Sequence, residues 1–201
     1  MRTTIALALL ALASTASAQN NRLTLGAVAL LPGHQNSADV LDGGRTVGGS
    51  EPGAGVFVRF ERMVGVWGIG MQYEYHRQIE KYNSRTALHL PALWTRFRGG
   101  SERVGGYFGI QLGGVRGDHQ SFFEGIRGFH TGAFFGIEAR GSHVGFLLEA
   151  GYQFTRVKSE SYTGYEDHGA THTPIIRLAL TAAFGRRSTP EFQEPYPWLA
   201  E

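Results

Sequence analysis

Three sets of side chains in this sequence are of types that do chemistry. The first is His119-Gln120-Ser121 with Glu124, a hydroxyl, an imidazole and a carboxylate close together along the chain. Such a trio serves acyl transfer when the imidazole takes the hydroxyl proton and the carboxylate orients the ring. Ser121 falls in a stretch that reads as a loop, so nothing fixes that geometry and no catalytic residue is assigned. The second set is histidine. Six of the eight, His34, His76, His119, His130, His168 and His172, fall at one predicted end of the molecule. Imidazole binds metals and titrates near neutrality. None of the six has a tight ligand spacing, and His168 and His172, four apart, would share a face only on a helix. They are expected to be solvent-exposed, with no metal site and no cofactor. The third set is Arg59, Glu61, Glu74, Glu138, Arg140, Glu149 and Arg177, with His89. These recur at one parity of strand-like segments. They could line a narrow ion path or form a carboxylate pair, but charges confined in a narrow interior must pair with one another, so structural pairing is expected.

Alternation is what would position them. Trp67, Ile69, Met71, Tyr73 and Tyr75 alternate with Gly68, Gly70, Gln72, Glu74 and His76. Val144, Phe146, Leu148, Ala150, Tyr152 and Phe154 alternate with Gly145, Leu147, Glu149, Gly151 and Gln153, and Phe108, Ile110 and Leu112 with Tyr107, Gly109 and Gln111. Period two means strands with one apolar face. Eight strands are expected, over residues 22–31, 53–62, 66–77, 85–97, 104–115, 129–140, 144–154 and 173–184. The connections alternate in length. Residues 32–52, 78–84, 116–128 and 155–172 are long, while Met63-Val64-Gly65, 98–103 and Gly141-Ser142-His143 are short. Short turns at one end and long loops at the other are the rhythm of a barrel that crosses an outer membrane. Pro91 lies inside a strand and suggests a local bulge.

Aromatic placement decides which face meets lipid. Trp67, Trp94 and Phe184 fall at the short-turn end, and Tyr73, Tyr75, Tyr152 and Phe154 at the long-loop end. Two aromatic rings flanking aliphatic residues suit the two lipid interfaces. A soluble ligand-binding barrel in the periplasm would reverse the parity and turn its apolar face inward.

Composition bounds the rest. Residues 1–18 read as an export signal: Met1-Arg2, an apolar run from Ile5 to Ala13, and Ala16-Ser17-Ala18 as cleavage site. No other stretch approaches the ~18 apolar residues of a membrane helix. There are no cysteines, hence no disulfide framework. A formal charge of +2 without a basic block argues against nucleic acid as a partner. The domains expected are a signal at 1–18, a barrel at 19–184 and a Pro-rich periplasmic tail at 185–201.

With these features the chain resembles the small eight-stranded outer-membrane barrels, of the OmpX and OmpA membrane-domain type. The resemblance covers residues 19–184. It rests on the signal, the strand count, the loop rhythm and the closing Leu178-Ala179-Leu180-Thr181-Ala182-Ala183-Phe184, which looks like a terminal-strand signal for barrel insertion. Leu88-His89-Leu90-Pro91-Ala92-Leu93-Trp94 is similar to a Pro-containing strand of generic bacterial barrel domains. Two features depart from the pattern: residues follow the terminal aromatic, and no peptidoglycan-binding domain is expected after it. The resemblance implies an all-β, eight-stranded antiparallel up-and-down transmembrane barrel with a filled polar interior. It also implies outer-membrane lipid and lipopolysaccharide as surroundings, and the insertion machinery and periplasmic chaperones as partners in biogenesis. Some barrels of this class modify lipid A with Ser, His and Glu, but that motif would sit on a late strand facing lipid, not at Ser121. A structural or surface-interaction role is expected, without an open pore. An unidentified surface ligand would meet the loops through Phe122, Phe123, Tyr162 and Tyr165.

Overall fold

Where one face of a segment is apolar and the other polar, the backbone of this chain runs as strand. The computed structural model describes residues 21–39, 45–50, 52–79, 85–101, 103–119, 123–141, 144–161 and 166–184. The expected signal, the tail and Ser121 lie outside the described residues. Ten strand segments occupy them: β1 (Asn21–Leu30), β2 (Gly33–Asp39), β3 (Arg45–Ser50), β4 (Gly53–Val64), β5 (Trp67–Ile79), β6 (Arg85–Gly100), β7 (Val104–His119), β8 (Phe123–Arg140), β9 (Val144–Ser161) and β10 (Glu166–Phe184). Neighbours pair antiparallel from β4 through to β10. β1 closes the barrel, lying against β4 on one side and β10 on the other, with Asn21 opposite Phe184.

The ten segments build an eight-stranded barrel, because β2 and β3 prolong its first hairpin. Leu30 pairs with Gly53 and Gly33 with Ser50, so one register runs from the β1–β4 pair into β2–β3. Pro32 and Pro52 stand in the gap, and a proline has no N–H to give a ladder. The expectation of a loop over 32–52 is therefore corrected. Alternation is absent there because β2 is held by backbone pairing to β10, from His34 opposite His172 to Asp39 opposite Asp167, and backbone pairing leaves no side-chain pattern. The longer connections at this end shrink for the same reason: β7 continues to His119, β8 starts at Phe123, β9 runs to Ser161 and β10 starts at Glu166.

The registers set the size of the barrel. A path through hydrogen-bonded neighbours runs from Leu31 to Pro174, Tyr152, Ala133, Ile110, Thr95, Ile69, Arg62 and finally Asn21, ten residues from its start. Eight strands with that stagger tilt by about 40° and form a wall of roughly 8 Å radius, room for side chains and little else. Pro91 introduces no bulge. His89 faces Arg116 and Ala92 faces Gly113, the same register on either side of it. The proline removes a bond from the ladder without adding a residue to the strand.

The β4–β5 turn shows how tightly the short end is drawn. Val64 pairs with Trp67, so two residues make the turn, and Gly65 takes φ of 60°. A side chain there meets the left-handed penalty of about 1–2 kcal/mol. Gly65→Val should lower the unfolding free energy of the refolded protein by that amount in a urea titration. An unchanged midpoint would mean that the turn relaxes to another type at no cost.

Candidate functional site

The parity read from the sequence holds on nearly every strand of the barrel. Ile69, Met71, Phe108, Ile110, Leu112, Phe135, Ile137, Phe146, Leu148, Ile176, Leu178 and Leu180 all project outward and are exposed. Rings border this band. At the short-turn end Trp67 meets Phe97 edge-on with centroids 5.2 Å apart, and Phe60 lies 6.1 Å from Phe184. At the other end Phe154 packs against Phe129 and His172, at 6.0 and 4.8 Å, and the Tyr73 hydroxyl is 2.5 Å from His89 Nδ1.

Strand β6 is out of phase with expectation. Trp94 was expected in the outer ring and His89 inside. Instead Trp94 is 1% exposed in the interior, His89 is on the outer face beside Tyr73 and Tyr75, and Phe97 supplies the outer aromatic. Two observations explain the phase. Trp94 lies under the Arg59 guanidinium, 3.6 Å from its ring centroid, a favourable cation–π geometry. Its ring also occupies the space a side chain at Gly109 would take, since a Cβ there would sit 2.7 Å from it. Tyr107 covers Gly136 and Phe134 covers Gly151 in the same way, so each ring leans on a glycine of the next strand.

The interior charges pair with one another in two clusters. Arg59 clasps Glu149 with two bonds of 2.6 and 3.0 Å and donates through Nε to Gln72 at 2.5 Å. Arg177 donates to the other side of Glu149 at 3.1 Å, to Gln111 at 3.0 Å and to Glu74. The Tyr107 hydroxyl donates to Glu149, and Gln72 bridges Glu74 and Gln111. Arg177 also stacks 3.9 Å from the Phe134 centroid. The carboxylate partner that an inward Arg177 requires is thus supplied twice, by Glu74 and Glu149. Towards the short turns a second cluster gathers on Glu138: Arg140 at 2.6 Å, Arg96 at 3.2 Å, Arg22 at 3.3 Å and Arg98 at 3.7 Å. Glu61 holds Arg96 from the other side at 2.5 Å.

Arg59, Glu61, Glu74, Glu138, Arg140, Glu149 and Arg177 therefore lie inside, as read, and touch one another rather than an open channel. His76 and His130, expected to be solvent-exposed, are 2% and 0% exposed within the interior. His76 is 2.6 Å from Glu74, and His130 is 3.3 Å from Gln111. They are buried because β5 and β8 continue at inward parity beyond the aromatic ring. His34 and His168 are exposed, and His172 is half-buried against Tyr152 and Phe154. His119 ends β7 and Glu124 lies at the start of β8; their side chains and Ser121 lie outside the described residues, as do Phe122, Tyr162 and Tyr165. Sequence reading missed Arg22, Arg96 and Arg98. The signal was present for Arg22, whose parity is shared by Thr24 and opposed by Leu23 and Leu25.

A closed eight-stranded barrel with an apolar exterior and an ion-paired interior is the architecture of the small outer-membrane barrels. No protein-family model and no curated protein sequence matches the chain. Among solved structures it is similar to Neisserial surface protein A, with a TM-score of 0.56 and 13% identity over 82% of this chain and 97% of that one. It also aligns with Ail, the attachment invasion locus protein of Yersinia pestis, with a TM-score of 0.45 and 14% identity over 84% and 100% of the two chains. The N-terminal β-barrel domain of Pseudomonas aeruginosa OprF gives a TM-score of 0.41 and 10% identity over 83% and 100%.

Proposed function

We propose that this chain is an integral protein of a bacterial outer membrane, with a structural or surface-interaction role carried by the strand extensions and connections at its long-loop end, and that it conducts no solute. The observation that carries the reading is the pairing of two opposite faces in one wall. Large apolar side chains circle the outside, where water would charge ~25 cal/mol for each Å² left exposed, while guanidinium and carboxylate groups fill the inside. A soluble ligand-binding barrel requires the reverse. The interior supports the absence of a pore, since Arg59, Glu149, Arg177, Trp94 and Phe134 occupy its middle at less than 2% exposure.

The same protein sample tests location and closure. Extraction should depend on detergent, and the folded band should migrate differently on a gel before and after boiling. Reconstituted into a planar bilayer, the protein should give no stable conductance steps. Release by osmotic shock without detergent would overturn the membrane reading. Steady unitary currents would overturn the closed interior alone.

A further inference from the structure

The two interior clusters differ in charge balance. Around Glu149 the balance is even, with Arg59 and Arg177 facing Glu74 and Glu149. Towards the short turns it is not. There Arg22, Arg96 and Arg140 face Glu61 and Glu138, three guanidiniums against two carboxylates among the described residues. The distances say which arginine goes short. Arg140 takes both oxygens of Glu138 in a fork of 2.6 and 2.7 Å. Arg96 has Glu61 at 2.5 Å. Arg22 reaches only the Glu138 oxygens that Arg140 already clasps, at 3.3 and 3.4 Å, and only through Nη1. Arg96 Nη1 is buried 3.2 Å from Glu138 Oε2 without a hydrogen bond. Guanidinium charge removed from water in this way costs stability unless an anion completes it.

Space for such an anion adjoins Arg22. A cavity of about 20 Å³ lies at the short-turn mouth of the barrel, between Arg22, Glu138, Arg140 and Thr181. Arg140 ends β8 with its side chain 21% exposed, so the mouth opens to solvent. One water needs ~10–15 Å³. The cavity therefore admits the oxygens of one acid group and not a whole solute.

We infer that Arg22 and Arg140, backed by the charge of Arg96, form an oxyanion site at this mouth. It takes a carboxylate or phosphate group whose parent molecule stays outside the barrel. Nε and Nη2 of Arg22 are left to donate to it, and the planar guanidinium matches two oxygens of either group. Two sources can supply the acid. The chain continues past Phe184, and Glu191 lies seven residues on, a reach of up to ~23 Å. Glu194 follows it. The other source is a free oxyanion in solution. The inference uses the closed interior and not the lipid around it, so its failure leaves the membrane reading standing.

The test is calorimetric titration of inorganic phosphate into the full refolded chain, in zwitterionic detergent at constant chloride. One phosphate should bind per chain, and Arg22→Gln should weaken binding about tenfold or more. Glu138→Gln removes the competing carboxylate and should tighten binding by about tenfold. These opposite signs separate a binding site from general damage to the barrel, and the mobility shift on boiling confirms that each variant folds. The double variant Glu191→Gln, Glu194→Gln distinguishes the sources. Tighter binding than in the native chain assigns the mouth to the tail carboxylates, and equal binding assigns it to a free oxyanion. Absence of saturable phosphate binding in both the native chain and the double variant would overturn the site. So would binding that Arg22→Gln leaves unchanged.

Discussion

Replacing Glu149 by leucine should destabilise the barrel by about 3–5 kcal/mol, the range found when one partner of a buried ion pair is removed. The size of the effect follows from what Glu149 holds. Arg59 binds both of its oxygens, Arg177 binds one of them, and the Tyr107 hydroxyl donates to it. All four residues are buried. Leucine would leave Arg59 with Gln72 and its stacking on Trp94, but with no carboxylate, in a space too narrow for a solvation shell. The measurement is urea unfolding of the protein refolded in vesicles, followed by the change in gel mobility. A second variant separates charge from packing. Combining Glu149→Leu with Arg59→Met removes both ends of the main pair, and it should recover about half of the loss or more, because a matched apolar pair replaces a matched ionic one. A loss below ~1 kcal/mol in the single variant would mean that water reaches the guanidiniums. The filled interior, and with it the absence of a pore, would then be wrong.

The interior network was legible in the sequence wherever one strand face was plainly apolar and the other plainly not. On β5, Ile69 and Met71 against Gln72 and Glu74 leave a single choice of phase, and that phase puts Glu74 inside, where Arg177 meets it. Strand β6 offers no such contrast, because Leu88, Leu90, Ala92 and Trp94 form one face while Pro91, Leu93 and Phe97 form the other. Hydropathy alternation is silent when both faces are apolar. The phase is set by Arg96 together with the seat of Trp94 under Arg59 and over Gly109: the Arg96 guanidinium has no place among lipid tails and finds Glu61 and Glu138 within. A charge therefore outranks a tryptophan as evidence for strand phase, since tryptophan is at home on both faces of this wall. The strand extensions were not legible for a different reason. Beyond the apolar band no solvent contrast imposes period two, and the pairing of β2 with β10 is carried by N–H and C=O groups that every residue but proline shares.

Leu148→Arg should cost the barrel about 2–4 kcal/mol in a lipid bilayer, the range for an arginine at the midplane of a transmembrane barrel. Leu148 lies opposite Ile137 on one side and Leu178 on the other, all three exposed. Along β9 it stands four residues from Val144 at the short-turn end and four from Tyr152 in the upper ring, which puts it midway across the apolar band. The argument turns on depth. An arginine at Val144 can reach the headgroups with its own length, so Val144→Arg should cost roughly 0–1 kcal/mol. Unfolding in vesicles should therefore rank Leu148→Arg well below Val144→Arg and the native chain. In water both positions would be surface sites whose substitution changes stability by less than ~0.5 kcal/mol. A soluble barrel predicts two small and equal effects, and a membrane barrel predicts a gradient. The outward face of β9 is the same in both readings, so the comparison leaves the fold untouched and asks only what surrounds it. Two small and equal losses would remove the chain from the membrane. A steep gradient would make the apolar band a transmembrane surface on energetic grounds alone, independent of any likeness to other barrels.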